Sequence, residues 1–167
     1  MVDYNMLERI DANVADRYSE SLRRHIAYVQ DAGRLLGVPD HQLAVHDDSK
    51  WSCWEFAAYA QNFEGGGDPI RFPFAWLHHM HNNEHHWQYW LFPDGWVMEQ
   101  STMEKGIIEM PENYVLEMVA DWMGASMSYT GSWDMTKWLD NNLSKVVLHT
   151  RSRITLNNIL QYLGYNI

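Results

Sequence analysis

The chain has 167 residues, enough for one domain with a hydrophobic core, and 46% of them are apolar, which excludes a disordered chain. Its formal net charge of -10 excludes a broad interface with a nucleic-acid backbone, because such interfaces need clustered lysine and arginine. The single cysteine, Cys53, excludes an intrachain disulfide and a cysteine-rich zinc site.

The sequence carries no recognisable targeting or membrane segment. The N-terminus lacks the basic region and apolar run of a signal peptide. No stretch approaches the roughly 18 uninterrupted apolar residues of a membrane span. We therefore expect one domain over residues 1–167, located in the cytoplasm and without a membrane partner, and the sequence leaves homo-oligomers open.

The spacing of apolar residues predicts helices over most of the chain. Apolar residues recur every three or four positions from Asp3 to Leu36, and Gly37 and Pro39 end that helix. Ser52-Cys53-Trp54-Glu55 predicts a capping box for a later helix. Further helical segments are expected at Gln42–Lys50 (short), to about Phe63, from Phe72 or Pro73 into a histidine-rich stretch, from Pro111 to about Tyr129, Asp134–Leu148 and Arg151–Leu163.

One segment has the composition of β structure. Pro93-Asp94-Gly95 is typical of a turn, and it lies between two runs of residues that favour β-strands, Tyr89–Phe92 and Trp96–Met98. This pattern predicts a small hairpin near residues 88–100. The predicted fold is therefore a mainly α, single-domain helical bundle with a small β-hairpin insertion.

Histidine and aspartate occur at several places where the pattern predicts burial. His25 lies on the buried stripe of its helix, because Leu22 is three residues before it and Val29 is four after it. Taken alone, His25 is more typical of a core histidine than of a ligand. His46 and Asp47 follow a short apolar run, and taken alone they are typical of a solvated helix end.

The most conspicuous feature is the block His78-His79-Met80-His81-Asn82-Asn83-Glu84-His85-His86. On one continuous helix His78, His81 and His85 would share a face; alternatively, the two asparagines would cap a new helix near Glu84. Neutral imidazoles ligate zinc, iron, nickel or manganese. The aromatic residues on both sides of the block favour burial over a solvated polar run.

Asp121 lies in an unusual setting for a carboxylate. Its neighbours one turn away are Met118, Gly124 and Ala125. Burying a carboxylate among apolar and small side chains destabilises the folded protein unless the carboxylate is paired or bound to a metal. The alternative is that Asp121 faces solvent.

In chain order, His25, His46-Asp47 and Asp121 resemble the metal-binding signature H…HD…D of the HD-domain phosphohydrolase superfamily. Leu43–Lys50 and Met118–Asp121 resemble the segments of that superfamily that carry its ligands. More narrowly, the HDxSK and HHxHxNxHHW motifs resemble an uncharacterised family of phage and bacterial proteins, which supplies no activity. If a phage encodes the chain, the expected location is the host cytoplasm.

The resemblance implies an HD-like metal-binding domain holding one or two divalent transition-metal ions, which could be manganese, iron, zinc, cobalt or nickel. The implied ligands of the first ion are His25, His46, Asp47 and Asp121. Asp47 would bridge to a second ion held by His79 and by His85 or His86. The Gly-Tyr-Pro segment of the cyclic-dinucleotide-cleaving relatives is absent, so that substrate is not expected.

Under this hypothesis the chain hydrolyses a small phosphorylated substrate. Lys50, about one turn past His46, would steady the phosphate, and His78 and His86 would donate a proton to the leaving oxygen. The abundant aromatic residues favour a nucleotide, since a nucleobase can stack on them.

Three alternatives stay open at this stage. A histidine-rich pair of sites suits a di-iron oxygenase that activates dioxygen. A non-enzymatic phage protein could bind a host partner and use the histidines for a structural metal, with a closed coordination sphere. The remaining alternative is a histidine-rich core without any metal.

Overall fold

The computed structural model describes residues 10–92 and 106–166. Within these residues the chain is mainly helical, as predicted. It forms α1 (Ala12–Leu36), α2 (Asp40–Leu43), α3 (Phe56–Glu64), α4 (Phe72–Asn82), α5 (Glu112–Thr130), α6 (Thr136–Asn142) and α7 (Thr150–Tyr162), with short 3-10 turns at Asp48–Trp51, Trp87–Trp90 and Leu143–Lys145. None of the described helices combines the length and apolar character needed to cross a membrane.

The ends of α1 follow from local capping chemistry. The Asp11 side chain accepts hydrogen bonds from the backbone N–H groups of Asn13 and Val14, which have no partner within the helix. Gly37 ends the helix with a φ of 85°, a conformation that glycine adopts without strain. The predicted end at Leu36 is confirmed, and residues 3–9 of the predicted helix lie outside the described residues.

Helix α1 lies between two hydrophobic clusters. Its C-terminal half packs with α5, α6 and α7, and its N-terminal half packs with α3 and α4. The contact between α1 and α5 is close because Gly124 has no side chain. A Cβ atom there would lie 2.5 Å from Val29 Cγ2 and 2.9 Å from the Val29 backbone nitrogen. This close packing brings His25 on α1 to Asp121 on α5.

The histidine-rich block is divided between a helix and a turn. Helix α4 begins at Phe72 with Pro73 in its first turn, and it ends at Asn82 because Asn83 adopts an extended conformation, with φ -133° and ψ 111°. The Asn83 amide donates hydrogen bonds to the carbonyl oxygen of His79 and to Ser49 Oγ, which fixes the turn. The block is therefore neither one continuous helix nor the start of a second α-helix.

The predicted hairpin near residues 88–100 is not supported. Trp87–Trp90 forms a 3-10 turn, and the Trp90 indole N–H donates a hydrogen bond to the Glu84 carbonyl oxygen. Leu91 makes an isolated antiparallel bridge with Ile107. Its partner therefore lies after the predicted second run, Trp96–Met98, and not within it. The predicted turn and the run at 96–98 lie outside the described residues. Of the aromatic residues that suggested a strand, Trp90 packs against the helical core, whereas Tyr89 and Phe92 are exposed.

The predicted capping box is also wrong. Helix α3 begins at Phe56, Glu55 occupies its N-cap position, and no side chain caps it. The Ser52 hydroxyl makes no hydrogen bond. The Glu55 carboxylate is fully buried instead, beside the histidines of α4.

Candidate metal centre

Asp47 occupies a backbone position that directs it into the protein. It follows the turn after α2 and has a φ of 61°, and no other non-glycine residue among those described has a positive φ. Aspartate tolerates this left-handed conformation better than most residues, and such strain is found at functional sites. The side chains of both His46 and Asp47 are completely buried.

The first group of potential ligands comes from α1, the turn after α2, and α5. His25 Nε2 lies 3.3 Å from Asp47 Oδ2 and 3.1 Å from Asp121 Oδ1. His46 Nε2 lies 3.5 Å and 3.7 Å from the same two oxygens. One ligand atom from each of these four residues lies within 4.8 Å of the other three. We call this group site 1.

The second group lies on the other side of the Asp47 carboxylate. His79 comes from α4, His85 and His86 come from the following turn, and one ring nitrogen of each lies within 4.8 Å of the others. Asp47 Oδ1 lies 3.3 Å from His79 Nε2 and 3.7 Å from His85 Nε2. We call these four residues site 2. Asp47 thus offers one oxygen to each site, the arrangement of a bridging carboxylate.

The Nε2 atoms of the histidines at these sites are buried, and none of them makes a hydrogen bond of good geometry. An unpaired buried polar group costs about 1–3 kcal/mol, so several such atoms close together need a common partner. Histidine nitrogens and carboxylate oxygens are together a suitable ligand set for a divalent transition metal. The atoms concerned are Nε2 of His25, His46, His79, His85 and His86, and Oδ1 of Asp47.

Two buried glutamates contact the Nδ1 atoms of histidines in both sites. Glu117 Oε1 lies 2.8 Å from His46 Nδ1 and 3.4 Å from His85 Nδ1, and Glu55 Oε2 lies 2.8 Å from His79 Nδ1. Each glutamate accepts a hydrogen bond from Nδ1 and leaves Nε2 free. Histidines that bind metals through one ring nitrogen usually donate a hydrogen bond from the other nitrogen to such a carboxylate. Glu117 with His46 and His85 also has metal-ligand spacing, but 2.8 Å is a hydrogen-bond distance.

In the metal-free protein, the pKa values of both histidines of site 1 are raised. Burial by itself would lower the pKa of His46, but Asp47, Asp121 and Glu117 outweigh it and raise that pKa to about 10. Burial likewise opposes the charge on His25, whose pKa is nevertheless raised by its contacts with Asp121 and Asp47. A metal ion at site 1 therefore has to displace protons.

The histidines of site 2 have the opposite tendency. Burial lowers the pKa of His85, and the positive charge of His46 lowers it further. Burial also places the pKa of His86 well below its ordinary value, with further lowering by His85 and His79. Glu117, Asp121 and Asp47 act to raise the pKa of His85 but do not outweigh burial and His46. His85 and His86 are therefore neutral, which is the form that ligates metals.

Lys50 lies next to the cluster, as the sequence predicts for a residue that acts there. Its ammonium group lies 2.6 Å from Asp47 Oδ2 and 5.6 Å from the centre of the Tyr59 ring. Burial would lower the pKa of Lys50, but Asp47 and Asp121 outweigh it and raise that pKa, so the charge persists.

His78 and His86, which were both predicted to donate a proton to the leaving oxygen, lie in different surroundings. His78 Nδ1 lies 2.7 Å from Glu55 Oε1, and its ring stacks on Trp54, so the structure does not bring it to the cluster. His86 lies within site 2, and its ring centre is 4.6 Å from that of His79.

Three cavities reach the cluster, and one of them, of about 420 Å³, contacts His46, His85 and Glu117. Of the other two, the first, of about 300 Å³, contacts ligands of both sites, and we call it the tyrosine cavity. Its walls include His25, Asp121, His86, Lys50, Tyr18, Tyr59 and Tyr129. The second, of about 400 Å³, we call the tryptophan cavity. Its walls include His85, His86, Asp121, Trp76, Trp87, Trp122 and Trp138. The potential metal sites are therefore accessible to a small molecule.

Sequence reasoning did not identify Glu55 and Glu117. Glu117 precedes Asp121 by one helical turn in an apolar segment, and that spacing is a signal that could have found it. Glu55 gave no such signal, because its position after Ser52 has the form of a helix cap.

The fold and the site together define a helical protein with a buried histidine–carboxylate cluster that could hold a metal ion. Residues 15–162 match the model of a family described as "Family of unknown function (DUF5662)", and the chain belongs to that family. No curated protein and no solved structure matches the chain. Its function therefore has to be argued from the site.

Proposed function

We propose that this protein is a phosphohydrolase that uses two divalent transition-metal ions. The observation that carries the proposal is the Asp47 carboxylate, whose two oxygens face two separate groups of unpaired histidine nitrogens. Site 1 would hold one ion and site 2 the other, with Asp47 between them. Paired ions of this kind act on both the attacking and the leaving oxygen in phosphoryl transfer.

The relationship to the HD-domain superfamily is part of the same proposal. The residues of the H…HD…D signature, which are far apart in the chain, contribute all four side chains of site 1. Helix α1 supplies His25 and helix α5 supplies Asp121, in an all-helical surrounding. This agreement in order and location supports an HD-like domain.

Hydrolysis adds water across the ester P–O bond: the water oxygen bonds to phosphorus, and the ester oxygen leaves as an alcohol with a proton. The bound ions would lower the pKa of that water and polarise a phosphoryl oxygen. Lys50 would balance negative charge on the phosphoryl group from its place in the tyrosine cavity. His86, which is neutral and within reach of His79 and His85, suits a ligand of site 2 better than a proton donor.

The substrate class that best fits the surroundings is a nucleotide. The tryptophan cavity adjoins ligands of both sites and is lined by four tryptophan side chains. Indole rings offer stacking surfaces for a planar base. A phosphate in the tyrosine cavity and a base in the tryptophan cavity would place the ester bond at the ions, because the two cavities share His86 and Asp121.

The test is a phosphatase assay on protein stripped of metal and reloaded with manganese, iron, cobalt or zinc. We expect phosphate release from at least one member of a nucleotide panel, and loss of that activity in Asp121→Asn. His41→Ala is the matched control, because His41 is exposed and lies outside the ligand groups. Failure to release phosphate from any phosphoester with any of these metals would contradict the proposal.

One observation favours a second function, a di-iron oxygenase. The ligand groups contain five histidines and only two carboxylates, and a nitrogen-rich set suits iron. Aerobically purified protein would then be coloured and contain about two iron ions per chain, and it would consume dioxygen. Colourless protein that contains zinc or manganese and releases phosphate would support the phosphohydrolase and contradict the oxygenase.

A purely structural metal is less consistent with the geometry. Structural sites have closed coordination spheres, whereas catalytic sites keep an open position. His25, Asp121 and His86 all line the tyrosine cavity, so side chains of both sites border the same space. This opening supports an enzyme over a protein that only binds a partner.

A further inference from the structure

Two tyrosine hydroxyls beside the candidate metal centre are buried without any hydrogen bond. Tyr18 on α1 is 5% exposed and Tyr59 on α3 is 3% exposed. Both residues line the tyrosine cavity, together with His25 and Asp121 of site 1. Buried tyrosine hydroxyls normally have a hydrogen-bond partner, so two unpaired ones in the same cavity wall indicate a missing partner.

The two tyrosines are placed close to each other and to the cluster. Their ring centres lie 6.3 Å apart, and the edge of the Tyr59 ring contacts the ring of His79. Tyr18 precedes His25 by seven residues, which is two helical turns, so both residues occupy the same face of α1. The Lys50 ammonium group lies over the Tyr59 ring. Three residues with donor groups thus line this cavity together.

The chemistry of these groups selects an anionic ligand. A tyrosine hydroxyl has an ordinary pKa of about 10, so both hydroxyls are protonated at neutral pH and can donate, and the Lys50 ammonium group can only donate. A tetrahedral oxyanion supplies enough acceptor oxygens to meet donors on one side and metal ions on the other.

We propose that Tyr18, Tyr59 and Lys50 form an anion-binding subsite that holds the phosphoryl group of the substrate against sites 1 and 2. This inference rests on the proposed function and specifies which side chains bind the transferred group. The phosphoryl group would supply the acceptor that these two hydroxyls do not find among the described protein groups.

The test compares Tyr18→Phe, Tyr59→Phe and the double variant, each loaded with manganese, in titrations with inorganic phosphate. A hydrogen bond to a charged group contributes enough for us to expect a rise in the phosphate dissociation constant of about tenfold or more per hydroxyl. Tyr162→Phe is the matched control, because Tyr162 is 79% exposed and lies outside the cavity. We expect it to bind phosphate like the wild type.

Thermal stability separates this binding role from a structural one. Removing a hydroxyl that has no partner relieves a desolvation cost, so ligand-free Tyr18→Phe and Tyr59→Phe should melt at the wild-type temperature or above it. Weaker phosphate binding without loss of stability supports the subsite. Lower melting temperatures with unchanged phosphate affinity would overturn it.

The two proposals fail in different ways. If the wild type hydrolyses phosphoesters and the double variant binds phosphate and turns over substrate equally well, the subsite is wrong and the proposed function stands. If the wild type binds phosphate through these tyrosines but hydrolyses no phosphoester, the subsite stands and the proposed function is wrong. If metal-loaded wild type does not bind phosphate at all, the subsite is wrong.

Discussion

Glu117 Oε1 lies 2.8 Å from His46 Nδ1, so the Glu117 carboxylate fixes which nitrogen of that ring faces site 1. Glu117 in turn depends on this contact: burial would raise its pKa, but the hydrogen bonds from His46 and His85 lower that pKa to about 2. Glu117 is therefore ionised at any physiological pH.

The first prediction concerns this support. Glu117→Gln should weaken metal binding by about 10- to 100-fold, the usual effect of losing an outer partner of a ligating histidine. The measurement is a competition titration against a chelating dye with manganese or zinc. Glu112→Gln is the control, because Glu112 is exposed in the first turn of the same helix. An affinity unchanged in Glu117→Gln would show that His46 does not ligate through Nε2.

The second prediction concerns the number of ions. Wild-type protein should retain two ions per chain, while His25→Ala and His79→Ala should each retain one, because they remove ligands of different sites. Asp47→Asn should impair both sites, and asparagine tolerates the left-handed backbone at this position. Elemental analysis and native mass spectrometry would give the counts.

The control for this series is His81→Ala. His81 belongs to the same histidine-rich block, but it is exposed on α4 and lies outside the ligand groups. It should retain two ions. Loss of an ion in His81→Ala, or loss of only one ion in Asp47→Asn, would contradict the assignment of a bridging carboxylate.

The third prediction concerns pH. In the folded, metal-free protein the pKa of His46 is raised from 6.5 to about 10, so the ring carries a proton at neutral pH that a metal ion must displace. Metal binding should therefore release protons, and the apparent affinity should increase as the pH rises toward 10. Calorimetric titrations in two buffers of different ionisation enthalpy measure the released protons directly.

The same shift predicts a change in stability without metal. Because the folded-state pKa of His46 is raised, its stabilisation is fully present below pH 6.5 and is lost as the pH rises to about 10. The melting temperature of metal-free protein should fall over that interval, whereas metal-loaded protein should lose less. Proton release of zero at neutral pH would argue against displacement of a proton from site 1.

The fourth prediction concerns the contact between α1 and α5. Gly124→Ala places a Cβ against the Val29 backbone, so we expect a loss of about 1–3 kcal/mol of unfolding free energy, as for overpacked cores. Metal affinity should fall as well, because His25 and Asp121 lie on the two helices that are forced apart. Thermal melts and metal titrations measure both effects.

Gly65→Ala is the control for this substitution. Its added Cβ meets only the flexible end of the Gln61 side chain, which can move, so a much smaller change in stability is expected. Equal stability and metal affinity in Gly124→Ala and wild type would contradict a site set by this helix contact.

The sequence by itself determined most of the helices and predicted the residues of site 1. Apolar residues at helical spacing determine which face of a helix is buried, and this placed His25 on an inward face but left Asp121 open. The charge argued against a broad nucleic-acid interface, and the order of His25, His46-Asp47 and Asp121 predicted site 1. These conclusions depend on local pattern and order, which are visible without a fold.

Only the tertiary structure decided how these residues combine. The positive φ of Asp47, the end of α4 at Asn82 and the missing side chain of Gly124 determine that four histidines converge on Asp47. Periodicity could not assign Glu55 and Glu117 to their histidines, because those partners come from other segments. Hydrogen bonds between distant segments depend on how helices pack, and packing is a property of the whole chain.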